Sequence, residues 1–124
     1  MTETLLSPGT AVLIVDSEPI VADSLELLVR ELGASTVQIS ASASHALSYL
    51  ESGRPSLAFI DLHVGSAAFD TLVARLTELS TKFVLVTTYS ANELAGTPWE
   101  GMVAVEKPFT DMEITAAIDK VMTA

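Results

Sequence analysis

Leu57-Ala58-Phe59-Ile60-Asp61-Leu62 is a short apolar run that delivers one carboxylate, and the turn formers Gly53, Pro55 and Ser56 precede it. A run of that length, set off by turn residues, reads as a buried strand. Three other runs end in the same manner: Val12-Leu13-Ile14-Val15 passes into Asp16, Phe83-Val84-Leu85-Val86 into Thr87, and Met102-Val103-Ala104-Val105 into Glu106-Lys107-Pro108. If helices alternate with these strands, the sheet is parallel and all four polar groups leave the same rim. Ligands bind at that carboxyl rim of open α/β sheets, where the strand order reverses. The expectation is a solvent-accessible acidic site centred on Asp61, with a hydroxyl and a lysine beside it.

The whole chain narrows the possibilities. At 124 residues it forms one domain, expected over 1–124, and its 49% hydrophobic content is enough for a core. Cysteine is absent, which excludes a disulfide framework and a thiolate metal site. The apolar runs are too short to span a membrane, and Met1-Thr2-Glu3-Thr4 lacks the basic start of a signal peptide, so a cytoplasmic protein is expected. Sixteen acidic and six basic residues give a net charge of −10, which repels nucleic acid and favours basic or metal-bearing partners.

Read in order, residues 1–9 are a polar lead-in closed by Ser7-Pro8-Gly9, and the first strand runs from Thr10 to Val15. Pro19 suits a first helical turn, and Ile20, Leu25, Leu28, Val29 and Leu32 recur at helical spacing until Gly33. Ser35 to Ile39 alternates weakly and carries no charged group at its end, which suits the edge of the sheet. Ala46, Leu47 and Leu50 mark a second helix that stops at Gly53; Phe69, Leu72, Val73, Leu76 and Leu79 mark a third, ending near Ser80. Gly96-Thr97-Pro98 cuts the fourth helix to about two turns after Ser90. Thr110-Asp111-Met112-Glu113 is a capping box that opens a last helix through Val121. Five strands alternating with five helices require right-handed crossovers and a three-layer α/β sandwich.

On these residues the chain resembles a receiver domain of a bacterial response regulator in two-component signalling, over essentially its whole length. The motifs are Val-Leu-Ile-Val-Asp16-Ser17-Glu18-Pro19, Phe-Ile-Asp61-Leu, Leu-Val-Thr87-Thr88 and Glu106-Lys107-Pro108-Phe109-Thr110, in the family's order. The resemblance implies a flavodoxin-like fold with strand order 2-1-3-4-5. It also implies that Asp61 accepts a phosphoryl group from a histidine kinase or histidine phosphotransferase, with Lys107 supplying positive charge and Thr87 a hydroxyl. Mg²⁺ would be held by Asp61, by Asp16 through water and by the backbone carbonyl of His63, and Pro108 would follow a cis peptide. No output domain follows Ala124, so a stand-alone receiver is expected that is not an enzyme. It would signal by contact with a downstream protein partner, bind neither nucleic acid nor membrane, and exist as a monomer or weak homodimer.

Two departures from the family pattern bear on chemistry. Ser17 stands where a second acid usually ligates the metal directly, which weakens Mg²⁺ binding unless Asp16 or Glu18 swings in to compensate. Otherwise Ser17 serves as a cap for the first helix. Ala104 stands where an aromatic usually turns inward on phosphorylation. Both departures motivate an alternative, a pseudo-receiver whose interactions do not depend on phosphate. A phosphatase with an Asp nucleophile would need a second Asp two residues on, where His63 stands. His45 reads as a helix-surface residue, and Trp99 as the anchor of the loop after the fourth helix.

Overall fold

The computed structural model describes residues 6–62 and 66–123, and of Ser66 the backbone only. Strands β1 (Ala11–Val15), β2 (Thr36–Ser40), β3 (Leu57–Asp61), β4 (Lys82–Thr87) and β5 (Ala104–Glu106) alternate with helices α1 (Pro19–Glu31), α2 (Ala43–Tyr49), α3 (Ser66–Glu78), α4 (Ala91–Leu94) and α5 (Asp111–Met122). The strands form one parallel sheet in the order β2-β1-β3-β4-β5. This is the flavodoxin-like topology, with β2 at the edge and a stunted α4.

The apolar runs are continuous because both faces of the sheet are covered. Val12, Ile14, Leu57, Phe59, Val84 and Val86 point to the side packed by α1 and α5. Leu13, Val15, Ala58, Ile60 and Leu85 point to the side packed by α2 and α3. Successive strand residues alternate between the two layers, so every position has to be apolar. The polar residues are thereby driven to the strand ends.

Several boundaries differ from the sequence reading for local reasons. Strand β5 starts late because the Met102 N–H donates to the Trp99 carbonyl at 3.2 Å, in a turn with Gly101 at φ 84°. Helix α4 lasts one turn rather than two, since Ala95 is already extended and Gly96 has φ 80°. Ile20 does not join the buried stripe of α1 and is 82% exposed. At about 100° per residue it sits opposite Ala22 and Val29, which are buried. Of the lead-in, residues 1–5 lie outside the described part, while Leu6 is buried and its N–H donates to the Leu32 carbonyl at 2.9 Å.

The capping box of α5 forms as expected. The Thr110 hydroxyl accepts from the Glu113 N–H at 3.2 Å, and the Glu113 carboxylate accepts from the Thr110 N–H at 2.9 Å. Thr110→Ala is expected to cost about 1 kcal/mol, seen as a lower urea midpoint at unchanged slope. The same device at Ser90 and Glu93 holds the single turn of α4.

Candidate functional site

Asp16 follows β1, Asp61 and Thr87 end β3 and β4, and Lys107 follows β5, so one rim carries all four residues. The backbone ladder continues past the strands: the Asp16 N–H donates to the Ser40 carbonyl at 3.0 Å, and the Lys107 N–H to the Thr87 carbonyl at 2.7 Å. These bonds hold the site's backbone as firmly as the sheet itself. The Lys107–Pro108 peptide is cis, as the family resemblance implied.

The Lys107 ammonium is the hub. Its Nζ lies 3.1 Å from Asp16 Oδ2, 3.1 Å from Asp61 Oδ2 and 2.7 Å from Glu18 Oε1. Burial works against the lysine's charge, yet its contacts with Glu18, Asp61 and Asp16 outweigh that and hold its pKa above the ordinary lysine value. Burial pushes the Asp16 carboxyl up, reinforced by the Asp61 charge and opposed by the Glu18 N–H and the Lys107 ammonium.

Accessibility corrects the sequence expectation. Asp61 is only 2% exposed rather than open at the rim. The Lys107 side chain, 10% exposed, reaches across from β5 to contact it, and Glu18, 60% exposed, holds the lysine from the solvent side. A reactant therefore meets Lys107 and Glu18 before it meets Asp61.

Thr87 is buried, and its hydroxyl oxygen accepts from the Tyr89 N–H at 3.0 Å, which leaves the hydroxyl proton for donation elsewhere. Ser17 is exposed and does not cap α1: the N-cap position is Glu18, with no side-chain cap bond. Asp16 Oδ1 accepts from the Glu18 N–H at 2.8 Å instead, which fixes both the carboxylate and the start of the helix. His63, expected to offer its backbone carbonyl to a metal, lies outside the described residues.

The carboxylates of Asp16, Glu18 and Asp61 each offer an oxygen within 4.8 Å of the others, a hard-oxygen set that suits Mg²⁺. Asp16 Oδ2 is buried and has no hydrogen-bond partner among the described residues, although the Lys107 charge is near. A buried, underused carboxylate oxygen fits a cation ligand.

Beyond the rim, Trp99 packs edge-on against Phe69 with ring centroids 4.7 Å apart, anchoring the loop after α4. His45 is exposed on α2, with its Nδ1 2.9 Å from the buried Ser40 hydroxyl. Ala104 is exposed and borders a groove of about 860 Å³, lined also by Tyr89, Trp99, Glu106, Glu113 and Lys120. Among the described residues no helix is long and apolar enough to cross a membrane.

Comparison with known proteins agrees with this geometry. The response regulator receiver domain family matches residues 12–119. The phyllosphere-induced regulator PhyR of Methylorubrum extorquens is 28% identical over 117 residues, covering 92% of this chain and 44% of that protein. The sensory transduction protein LytT of Enterococcus faecalis is 30% identical over 112 residues, covering 88% of this chain and 46% of that protein. The chain thus spans less than half the length of these relatives. The solution structure of the Erythrobacter litoralis PhyR receiver domain superposes with a TM-score of 0.81 at 27% identity, covering 94% of this chain and 92% of that one.

Proposed function

The chain belongs to the response regulator receiver domain family, and from that premise we propose that it accepts a phosphoryl group on Asp61 and signals through protein contacts. The donor is a phosphohistidine on a histidine kinase or histidine phosphotransferase. The observation that carries this reading is the convergence of Asp16, Glu18 and Asp61 on one ammonium at 2.7–3.1 Å, beside a buried threonine hydroxyl.

An Asp61 carboxylate oxygen attacks phosphorus, the N–P bond of the donor breaks, and the imidazole departs as an acyl phosphate forms. Such transfers depend on in-line positioning and on positive charge against the equatorial oxygens. Lys107 supplies charge from within hydrogen-bond distance of Asp61, and Thr87 supplies a donor from the neighbouring strand. Asp16 and Asp61, with the backbone carbonyl of His63 as the family resemblance implies, would hold Mg²⁺, which when bound would supply further positive charge to the phosphoryl oxygens. Lys107 moves from Asp61 Oδ2 to the incoming phosphoryl oxygens, which opens the covered carboxylate. The protein is a stoichiometric phosphoacceptor rather than an enzyme, working in the cytoplasm as a monomer or weak homodimer. Its readout face is the surface of α4, β5 and α5, reshaped by Ala104.

Incubation with Mg²⁺ and a small acyl or amido phosphate should add the mass of one phosphoryl group. No adduct with any such donor overturns the proposal. A second reading, a pseudo-receiver independent of phosphate, draws on Ser17 and on the burial of Asp61 beneath Lys107. A partner that binds wild type and Asp61→Asn equally well would favour it.

A further inference from the structure

We infer that Glu18 is itself a ligand of the divalent cation, supplying the carboxylate that Ser17 lacks. The inference deepens the phosphoacceptor reading and rests on that reading's use of a metal.

The first ground is where the acids meet. Asp16 Oδ2, Asp61 Oδ2 and Glu18 Oε1 all face the same Lys107 Nζ at 3.1, 3.1 and 2.7 Å. A cationic group already occupies the space between them, so the cluster stabilises positive charge there. Glu18 makes the shortest of the three contacts. Ser17, one residue earlier, is exposed and contributes no carboxylate.

The second ground is the burial of Asp16. Asp16 is 3% exposed, and its Oδ2 has no hydrogen-bond partner among the described residues. Its other oxygen is committed to the Glu18 N–H at 2.8 Å, and Oδ2 is paired by charge with the shared ammonium at 3.1 Å. Buried carboxylate oxygens ordinarily find donors or ions. An ion held jointly with Glu18 would satisfy this one.

The third ground is that the Glu18 side chain is not tied into the start of α1. It occupies the N-cap position of α1 without making a side-chain cap bond. Its backbone is nonetheless pinned, by Asp16 on one side and by Pro19 at the first helical position on the other. The carboxylate is therefore placed by local backbone geometry and, among the described residues, held in the site by Lys107. Being 60% exposed, it would leave room for water on a bound ion, which Mg²⁺ usually keeps.

The Lys107 ammonium already contacts the Glu18 carboxylate that would serve the ion. Glu18 is thus bound either to the lysine or to the metal, and the two cations compete for it.

The test is binding of Mn²⁺ to the full chain, followed by electron paramagnetic resonance of the free ion. The proteins compared are wild type, Glu18→Gln, Lys107→Met and the double variant Ser17→Asp/Glu18→Gln. Loss of partners outside the ligand shell costs metal sites about 10–100-fold, so loss of a ligand should weaken binding at least about tenfold in Glu18→Gln. Ser17→Asp should restore it, and Lys107→Met should tighten binding relative to wild type. If Glu18 merely tethers the lysine, Glu18→Gln binds Mn²⁺ as well as wild type or better, and the inference is overturned. Phosphate uptake by the same samples separates the two failures. Wild type that binds Mn²⁺ and takes up phosphate while Glu18→Gln binds equally well refutes the role of Glu18 alone. Wild type that neither binds Mn²⁺ nor takes up phosphate refutes the phosphoacceptor reading with it.

Discussion

Asp61→Asn is expected to abolish phosphate uptake from small donors entirely, whereas Thr87→Ala should only slow it by about 10²-fold. The difference follows from roles. An amide is no substitute for the attacking carboxylate, and the neighbouring Asp16 has one oxygen committed to the Glu18 N–H at 2.8 Å. Thr87 offers one hydrogen-bond donor to the developing charge, and losing one such donor typically costs about 10²–10³ in rate. Asn at 61 is nearly isosteric and still offers Lys107 an oxygen, so the variant should fold. Far-ultraviolet circular dichroism and a urea midpoint near wild type would verify this. Intact-mass measurement after incubation with donor and Mg²⁺ reads the adduct. An Asp61→Asn protein that gains phosphate to the wild-type extent would place the acceptor elsewhere.

The second large effect concerns stability. Lys107→Met should cost about 3 kcal/mol in metal-free protein, because it strips the cation from two carboxylates that are each 2% exposed. That figure is the lower end for broken buried pairs, since the contact with the 60% exposed Glu18 adds little. A thermal midpoint lower by about 10 °C is the corresponding observation. Divalent cations should recover much of the loss by binding the folded state alone.

The pH dependence has a definite sign. The folded pKa of Lys107 lies above its ordinary value of 10.5, so its contribution is complete below pH 10.5 and is lost as pH rises through the folded value. For Asp16 the folded pKa is also raised, so protonation favours the fold and that benefit fades as pH rises from the ordinary 3.8 through the folded value. Removing the lysine removes an influence that lowers the Asp16 pKa. Mildly acidic solution should therefore restore Lys107→Met more than wild type. A variant as stable as wild type at pH 8 in chelator would show that the ammonium's desolvation cancels its pairing.

Much of the fold is legible because burial on both faces leaves a strand no polar positions except its ends. Leu57–Asp61 shows this: all five residues are buried, and the carboxylate comes last. The helices are legible where one face is apolar, as in Leu25, Leu28 and Val29. The same periodicity misleads at Ile20, where an apolar residue faces solvent. Met102 misleads in another way, for its apolar character persists into a turn that backbone bonding defines.

The candidate site divides similarly. Asp16, Asp61 and Thr87 stand out because each terminates an apolar run, and Lys107, one residue past Glu106, stands out through the family motif Glu106-Lys107-Pro108. Glu18 has no such signature, since an acid two residues past a strand also suits an ordinary helix start. The displaced acid beside Ser17 was the only available sign, and it left open whether the side chain turned inward.

The sequence alone therefore determined that the strands run parallel and that their polar groups leave one rim, because burial on both faces and chain connectivity are local or nearly so. Only the tertiary structure decided that Lys107 bridges Asp16, Glu18 and Asp61, and that Asp61 is covered rather than open. Those facts depend on side chains 46 and 89 residues apart meeting across the sheet. No local pattern encodes such distances; the packing of strands against one another sets them.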